Sequence, residues 1–206
     1  MNQATPPAWA EEILRVLLPP RDRDSVGGDL IEGYRERIEL SPRKAAADLW
    51  YVRQVAGFAY RSVSVWAFAF AALFVARGVV DALIATDDFT VRSTISTVLA
   101  ATVWACCGAT VAWRTGLIRS GALAGILTAT VAPLVTVTLN ALFYGVVVLT
   151  GSDQIFVNIA RSGGIEEGFT LPFFVVGPGI VLAAIGGVFG ATARRIQSIV
   201  RPPRML

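Results

Sequence analysis

The sequence predicts an all-α integral membrane protein, in which a four-helix membrane bundle carries a small N-terminal cytoplasmic helical domain. Three observations support this fold class. The 206 residues are 54% hydrophobic and only 16% charged, which is poorer in charge than an ordinary soluble domain. Four apolar segments each reach the roughly 20 residues that an α-helix needs to cross a bilayer. The first 60 residues are, by contrast, rich in charge, and their apolar residues recur at helical spacing.

Three helices are predicted in the cytoplasmic domain, which comprises residues 1–60. The first ends at the prolines of LLPP, because proline cannot continue a helix. The second carries an apolar residue at every fourth position, which is typical of an amphipathic helix with one dry face. The third begins at Ser41 and Pro42 and either stops near Gly57 or continues into the first membrane span; the sequence leaves both arrangements open. The predicted ranges are about 7–18, 22–39 and 42 onward.

The second helix also carries the residues that we expect to contact a protein partner. Charged side chains of both signs occupy its remaining faces, as on a solvated helix surface or a docking surface. Gly27 and Gly28 each lower helix propensity by about 1 kcal/mol relative to Ala, so we expect another backbone to pass close to them. The candidate partner-binding residues are Asp29, Glu32, Tyr34, Arg35 and Arg37.

Four membrane spans are predicted within residues 61–195, followed by a basic tail of residues 196–206. The spans cover residues of about 63–84, 94–113, 122–149 and 171–193. Arginines are concentrated before the first span, in the connection between the second and third spans, and after the fourth span. The connections after the first and third spans are net acidic. Because cytoplasmic flanks carry the Lys/Arg excess, we expect a multi-pass protein with both termini in the cytoplasm. The last of these connections, residues 151–170, contains SDQIFVNIAR, which could form a short interfacial helix; the sequence leaves the role of this loop open.

Polar residues inside the spans are few. Arg77 and Asp81 lie four positions apart on one helix face, so they can pair. Arg77 lies about 24 Å along the helix from Arg61, near the outer interface, where we expect its side chain to snorkel to water. Asn140 in the third span suits an interhelical hydrogen bond. The alternative is that Arg77, Asp81 and Asn140 line a transport path.

Small residues recur at four-residue spacing in the spans. Pressing two helices together in lipid brings no hydrophobic gain, so close backbone approach through small side chains has to supply the contact. The helix-packing candidates are Gly121, Gly125, Gly179 and Gly187.

The composition excludes several functions. The chain has no His, and its two cysteines, Cys106 and Cys107, are neighbours in an apolar run. A Cys/His metal site and imidazole catalysis are therefore excluded, and we expect no enzyme activity, catalytic residue, cofactor or metal. No basic patch interleaved with aromatics occurs, so we expect no nucleic-acid binding. The first residues lack the basic start and apolar core of a cleavable signal peptide.

The N-terminal domain contains the series PPAWAEEILRVLLPPRDRDSVGGDLIEGYRER and SPRKAAADLWYVRQ. These residues resemble the prefix domain found ahead of bacterial ABC-transporter permeases of the macrolide-exporter type, notably the duplicated orphan permeases of acidobacteria. The likeness covers about the first 60 residues and brings no catalytic residues. In that family a large extracytoplasmic domain follows the first span, whereas here the connection of residues 85–93 is short. The sequence therefore predicts a prefix-like domain on a different, compact four-span anchor.

Two functional hypotheses follow from these expectations. The first is a non-enzymatic protein of the bacterial inner membrane, whose cytoplasmic head docks a protein partner such as a transporter component or a regulator. The alternative is a small multi-span transporter or channel that acts as an oligomer. The lipid bilayer is a partner in both.

Overall fold

A computed structural model describes residues 5–40, 43–84 and 89–200. Within these residues the chain forms eight α-helices and one 3-10 turn, Pro20–Asp22. The α-helices are α1 (Ala8–Leu17), α2 (Arg23–Leu40), α3 (Lys44–Leu83), α4 (Phe89–Thr115), α5 (Ile118–Leu149), α6 (Asp153–Arg161), α7 (Gly164–Phe174) and α8 (Val176–Val200). Four of them, α3, α4, α5 and α8, are long and apolar enough to cross a membrane. The predicted all-α fold with four candidate membrane helices is confirmed.

The third head helix and the first span are a single helix. α3 runs without interruption for 40 residues, which is about 60 Å. Gly57, the predicted joint, lies within the helix and is exposed. The first turns of α3 pack against α1 and α2, and its last turns reach the opposite end of the bundle. One rigid element therefore connects the two ends of the molecule.

The closest helix pair in the bundle is α4 with α8, and glycines make the close approach possible. A Cβ atom on Gly108 would lie 1.8 Å from the carbonyl oxygen of Ala183. A Cβ atom on Gly186 would lie 2.0 Å from the carbonyl oxygen of Ala105. Any side chain at these positions would separate the two backbones, so the small residues determine the distance between the helices.

The glycines predicted to form helix contacts all lie at such contacts. A Cβ atom on Gly121 would lie 2.6 Å from the Cα atom of Gly187, across the α5–α8 contact. One on Gly125 would lie 2.7 Å from a methyl group of α8. Gly179 packs differently, because a Cβ atom there would lie 2.4 Å from the indole ring of Trp104.

The last predicted span begins later than expected. Instead of one helix from residue 171, the chain forms α7, leaves the helical conformation at Val175 and resumes as α8 at Val176. Pro178 explains the break, because it has no N–H group to donate to the carbonyl of Phe174, four residues earlier. The apolar run of the sequence continues through both helices, which is why hydropathy alone places the boundary five residues too early.

Candidate functional site

A groove opens in the head between α1, α2 and α3, with a volume of about 360 Å³. Leu14, Leu18 and Ile31 form its apolar wall, and two acidic and two basic side chains surround it. Such a combination of apolar surface with a few polar groups is typical of a binding groove.

Two buried polar groups in this groove lack partners. The Tyr51 side chain is 0% exposed, and its hydroxyl has no hydrogen-bond partner within the described residues. The Arg23 Nε atom donates to the carbonyl of Leu18 at 3.1 Å, whereas its buried Nη2 has no partner there. An unpaired buried donor costs about 1–3 kcal/mol. A ligand that offers acceptors at this site would therefore be stabilised.

Gly27 and Gly28 form part of the groove surface on α2. The prediction that another backbone of this chain passes close to them is wrong for the described residues, because a Cβ atom on either glycine would meet nothing within 4 Å. Gly33, about one and a half turns later in α2, does have a close neighbour. A Cβ atom on it would lie 3.0 Å from the ring of Trp50. Gly27 and Gly28 thus present bare helix backbone to the outside of the molecule.

The predicted partner-binding residues of α2 do not all lie on one surface. Asp29, Glu32 and Arg35 are exposed. Arg37 is exposed too, but its guanidinium stacks on the ring of Trp50 at 3.7 Å. Tyr34 is 0% exposed and lies in the head core, so its proposed role in partner contact is wrong. Its position in the four-residue apolar repeat of α2 places it on the dry face of the helix.

An ionic cluster closes the opposite end of the bundle. Arg77 of α3 pairs with Glu167 of α7 and lies 3.7 Å from the Asp81 carboxylate. Arg92 of α4 pairs with Asp81 and donates to the carbonyl of Ser162 at 3.0 Å. Two arginines and two carboxylates therefore connect α3, α4 and α7 in the interior of the protein.

Neutral polar groups surround the ionic cluster and hold the α6–α7 hairpin against the bundle. Asn140 donates to the carbonyl of Gly168 at 2.8 Å. The Tyr144 hydroxyl donates to the carbonyl of Gly164 at 2.8 Å. These bonds fix the first turns of α7 on α5, so the connection of residues 151–170 is folded against the bundle. It contains a short helix, α6, in the segment where the sequence leaves such a helix open.

The interior of the cluster leaves little space. The cavity between its side chains measures about 10 Å³, which is about the size that one water molecule needs. A groove of about 260 Å³ between α3 and α4 borders the cluster, and Arg77, Asp81 and Arg92 are among its lining residues. The Arg77 side chain is only 10% exposed, so the prediction that it snorkels to water is wrong; it is neutralised in place by carboxylates. Asp81 and Asn140 are each 1% exposed; Asp81 also lines the groove between α3 and α4, whereas Asn140 is held by its hydrogen bond to Gly168. The ion pairs hold α3, α4 and α7 together, since removal of one member of a pair would leave the charge of the other buried and unpaired.

The comparisons with protein-family models, with curated proteins and with solved structures found no match. The resemblance of the first 60 residues to permease prefix domains therefore rests on the sequence motifs alone. Among the described residues, no group of three His, Cys, Asp or Glu side chains is placed to hold a metal ion.

Sequence reasoning missed several residues of both sites. From the sequence, Arg92 and Glu167 are counted only among the charges of the connections that predict orientation. In the structure each lies on a helix next to an apolar run. An ionisable residue such as Asp81 inside an apolar helix indicates a charged partner nearby, and Arg77 on the same helix already supplies one. Arg23 and Tyr51 of the head groove carry no motif, and only the packing of three helices brings them together.

Proposed function

We propose that this chain is a non-enzymatic docking protein of the bacterial cytoplasmic membrane. Its N-terminal head binds a segment of a protein partner, such as an accessory or regulatory component of a transporter. Both termini lie in the cytoplasm. The Lys/Arg bias of the sequence supports this orientation, because the head and the arginine-rich ends of α4 and α8 lie at the same end of the molecule.

The head groove is the observation that carries the proposal. Its surface combines an apolar wall with the unpaired hydroxyl of Tyr51 and the unpaired Nη2 of Arg23. The carbonyl groups of a peptide segment are acceptors that both donors can use. Gly27 and Gly28 have no side chain that would hold such a segment away from α2.

The exposed charges of α2 extend this surface beyond the groove. Gly28, Glu32 and Arg35 follow one another at spacings of four and three residues, so they share one face of the helix. Glu32 and Arg35 are exposed, and opposite signs at the rim of a groove favour a partner with complementary charges. The continuous α3 holds this surface at a fixed position relative to the membrane bundle.

Site-specific photocrosslinking in cells tests the proposal. A photoreactive amino acid replaces Glu32 at the rim of the groove, and the same amino acid replaces Ala56, an exposed residue of α3, as the control. We expect a discrete adduct from position 32 and none from position 56.

A pair of matched glycine variants completes the experiment. Gly28→Leu places a side chain on the groove surface and should abolish the adduct, whereas Gly57→Leu should leave it intact. A Cβ atom at either position meets nothing within 4 Å, so both variants are expected to fold. The proposal fails if the adduct forms equally from both positions, or if it survives Gly28→Leu.

A further inference from the structure

A second cavity lies where the head meets the membrane helices, and it is basic. It measures about 620 Å³. Arg21 of the 3-10 turn, Arg114 at the end of α4 and Arg194 near the end of α8 line it, together with Trp113, Gln197 and two prolines. Three separate elements therefore each contribute one arginine. Among the described residues, no carboxylate lines this cavity.

Two of the three arginines make local contacts with their side chains. Arg194 Nη1 donates to the carbonyls of Trp113 at 3.2 Å and of Arg114 at 2.5 Å. It thus offsets the partial negative charge at the end of α4. Arg21 lies 3.3 Å from Asp22, but their side chains are 85% and 40% exposed, and such a surface pair is weak. The cavity therefore retains a net positive charge.

An apolar groove adjoins the basic cavity on the outer surface of the α4–α8 pair. It measures about 420 Å³ and shares Trp113 and Arg114 with the basic cavity. Ala109, Gly190 and Ala193 are among its lining residues, and α4 and α8 approach closely there, since a Cβ atom on Gly190 would lie 2.1 Å from the carbonyl oxygen of Ala109. Phe189, which is 70% exposed, forms one wall. The groove follows two helices that are apolar enough to cross a membrane.

We propose that the cavity and the groove together bind one anionic phospholipid. The phosphate of the headgroup lies among Arg21, Arg114 and Arg194, and one acyl chain follows the groove beside Gly190. Guanidinium groups bind phosphate oxygens through paired N–H donors. Basic pockets between membrane helices are suited to acidic headgroups, and a tryptophan such as Trp113 is typical of the membrane interface.

Native mass spectrometry of the full chain, released from detergent micelles, tests the proposal. The probes are dioleoyl phosphatidylglycerol, which is anionic, and dioleoyl phosphatidylcholine, which is zwitterionic. We expect one retained phosphatidylglycerol per chain and weak retention of phosphatidylcholine. An arginine that reaches the headgroup contributes about a fivefold change in affinity. Arg114→Gln should therefore weaken phosphatidylglycerol retention about fivefold.

Matched variants separate this site from general charge attraction. Arg195→Gln removes an exposed arginine beside Arg194 that does not line the cavity, and it should leave retention unchanged. Ala193→Trp fills the apolar groove without changing charge, and it should also weaken retention. Inorganic phosphate at millimolar concentration should not displace the lipid.

Three results would overturn the proposal. The first is equal retention of the two lipids. The second is an equal loss of retention in Arg114→Gln and Arg195→Gln. The third is displacement by inorganic phosphate together with full retention in Ala193→Trp, which would assign the cavity to a free anion.

Discussion

The hydroxyl of Tyr34 lies 2.7 Å from Oδ1 of Asp48 and so joins α2 to α3 inside the head. Lys44 Nζ donates to both oxygens of the same carboxylate, at 2.9 and 2.8 Å. Burial and the hydrogen bond to Asp48 raise the pKa of the Tyr34 phenol, so the phenol keeps its proton beyond the pH at which a free tyrosine ionises. One carboxylate therefore holds the second helix of the head on the helix that enters the membrane.

Tyr34→Phe should loosen the head without unfolding the bundle. The variant keeps the aromatic contact with Tyr51, whose ring centroid is 6.0 Å away, and removes only the hydroxyl. We expect a loss of about 1.5–3 kcal/mol, the range for a hydrogen bond to a charged group. Faster hydrogen exchange in α2 would report it. Tyr60→Phe alters a half-exposed tyrosine of α3 and should change nothing; equal exchange in both variants would contradict the prediction.

Gly186→Ala should separate α4 from α8. Its Cβ atom would lie 2.0 Å from a backbone oxygen, and overpacking of this kind costs about 1–3 kcal/mol. The melting temperature of the protein in detergent should fall. Gly145→Ala introduces the same methyl group where nothing lies within 4 Å, and it is the control. If the two variants have the same melting temperature, the close α4–α8 contact is not a source of stability.

Arg77→Met should destabilise the protein strongly. It leaves Glu167 and Asp81 with a single arginine, and breaking a buried ion pair costs about 3–5 kcal/mol. Adding Glu167→Gln should restore part of the loss, because the remaining Arg92 and Asp81 form a balanced pair. A double-mutant cycle on the melting temperature measures this coupling.

A surface arginine provides the control for that cycle. Arg15→Met breaks an exposed pair with Glu12 and should cost less than about 1 kcal/mol. A double variant no more stable than Arg77→Met alone would show that the Arg77–Glu167 pair does not stabilise the cluster.

Cysteine labelling should establish the orientation of the chain. In a variant without Cys106 and Cys107, a cysteine at Ser152 should react with an impermeant thiol reagent added to intact cells. A cysteine at Ser198, exposed on α8, should react only after the membrane is opened. The reverse pattern would place the head outside the cytoplasm and contradict the proposed docking function.

The helical class and the four long helices could be predicted because both depend on local sequence. An apolar run of about 20 residues determines a membrane helix without reference to any other part of the chain. The spacing of Val26, Leu30 and Tyr34 likewise predicts which face of α2 is buried. The break at Val175 is harder to locate, because Pro178 interrupts the hydrogen bonds but not the hydropathy.

The contents of the two sites could not be predicted, since they depend on contacts between distant residues. Arg77 and Glu167 are separated by 90 positions, and a single sequence carries no signal that joins them. The head groove depends on the angle at which α1 and α2 meet α3, which periodicity does not determine. Asp81 could be recognised as costly, but its second arginine, Arg92, could not.

The continuity of α3 couples the two ends of the molecule. The helix is about 60 Å long, so a tilt of about 5° at the end that carries the ionic cluster would displace its first turn by about 5 Å. Because α3 has no break between the ionic cluster and the head groove, a displacement at one of these sites would also move the other.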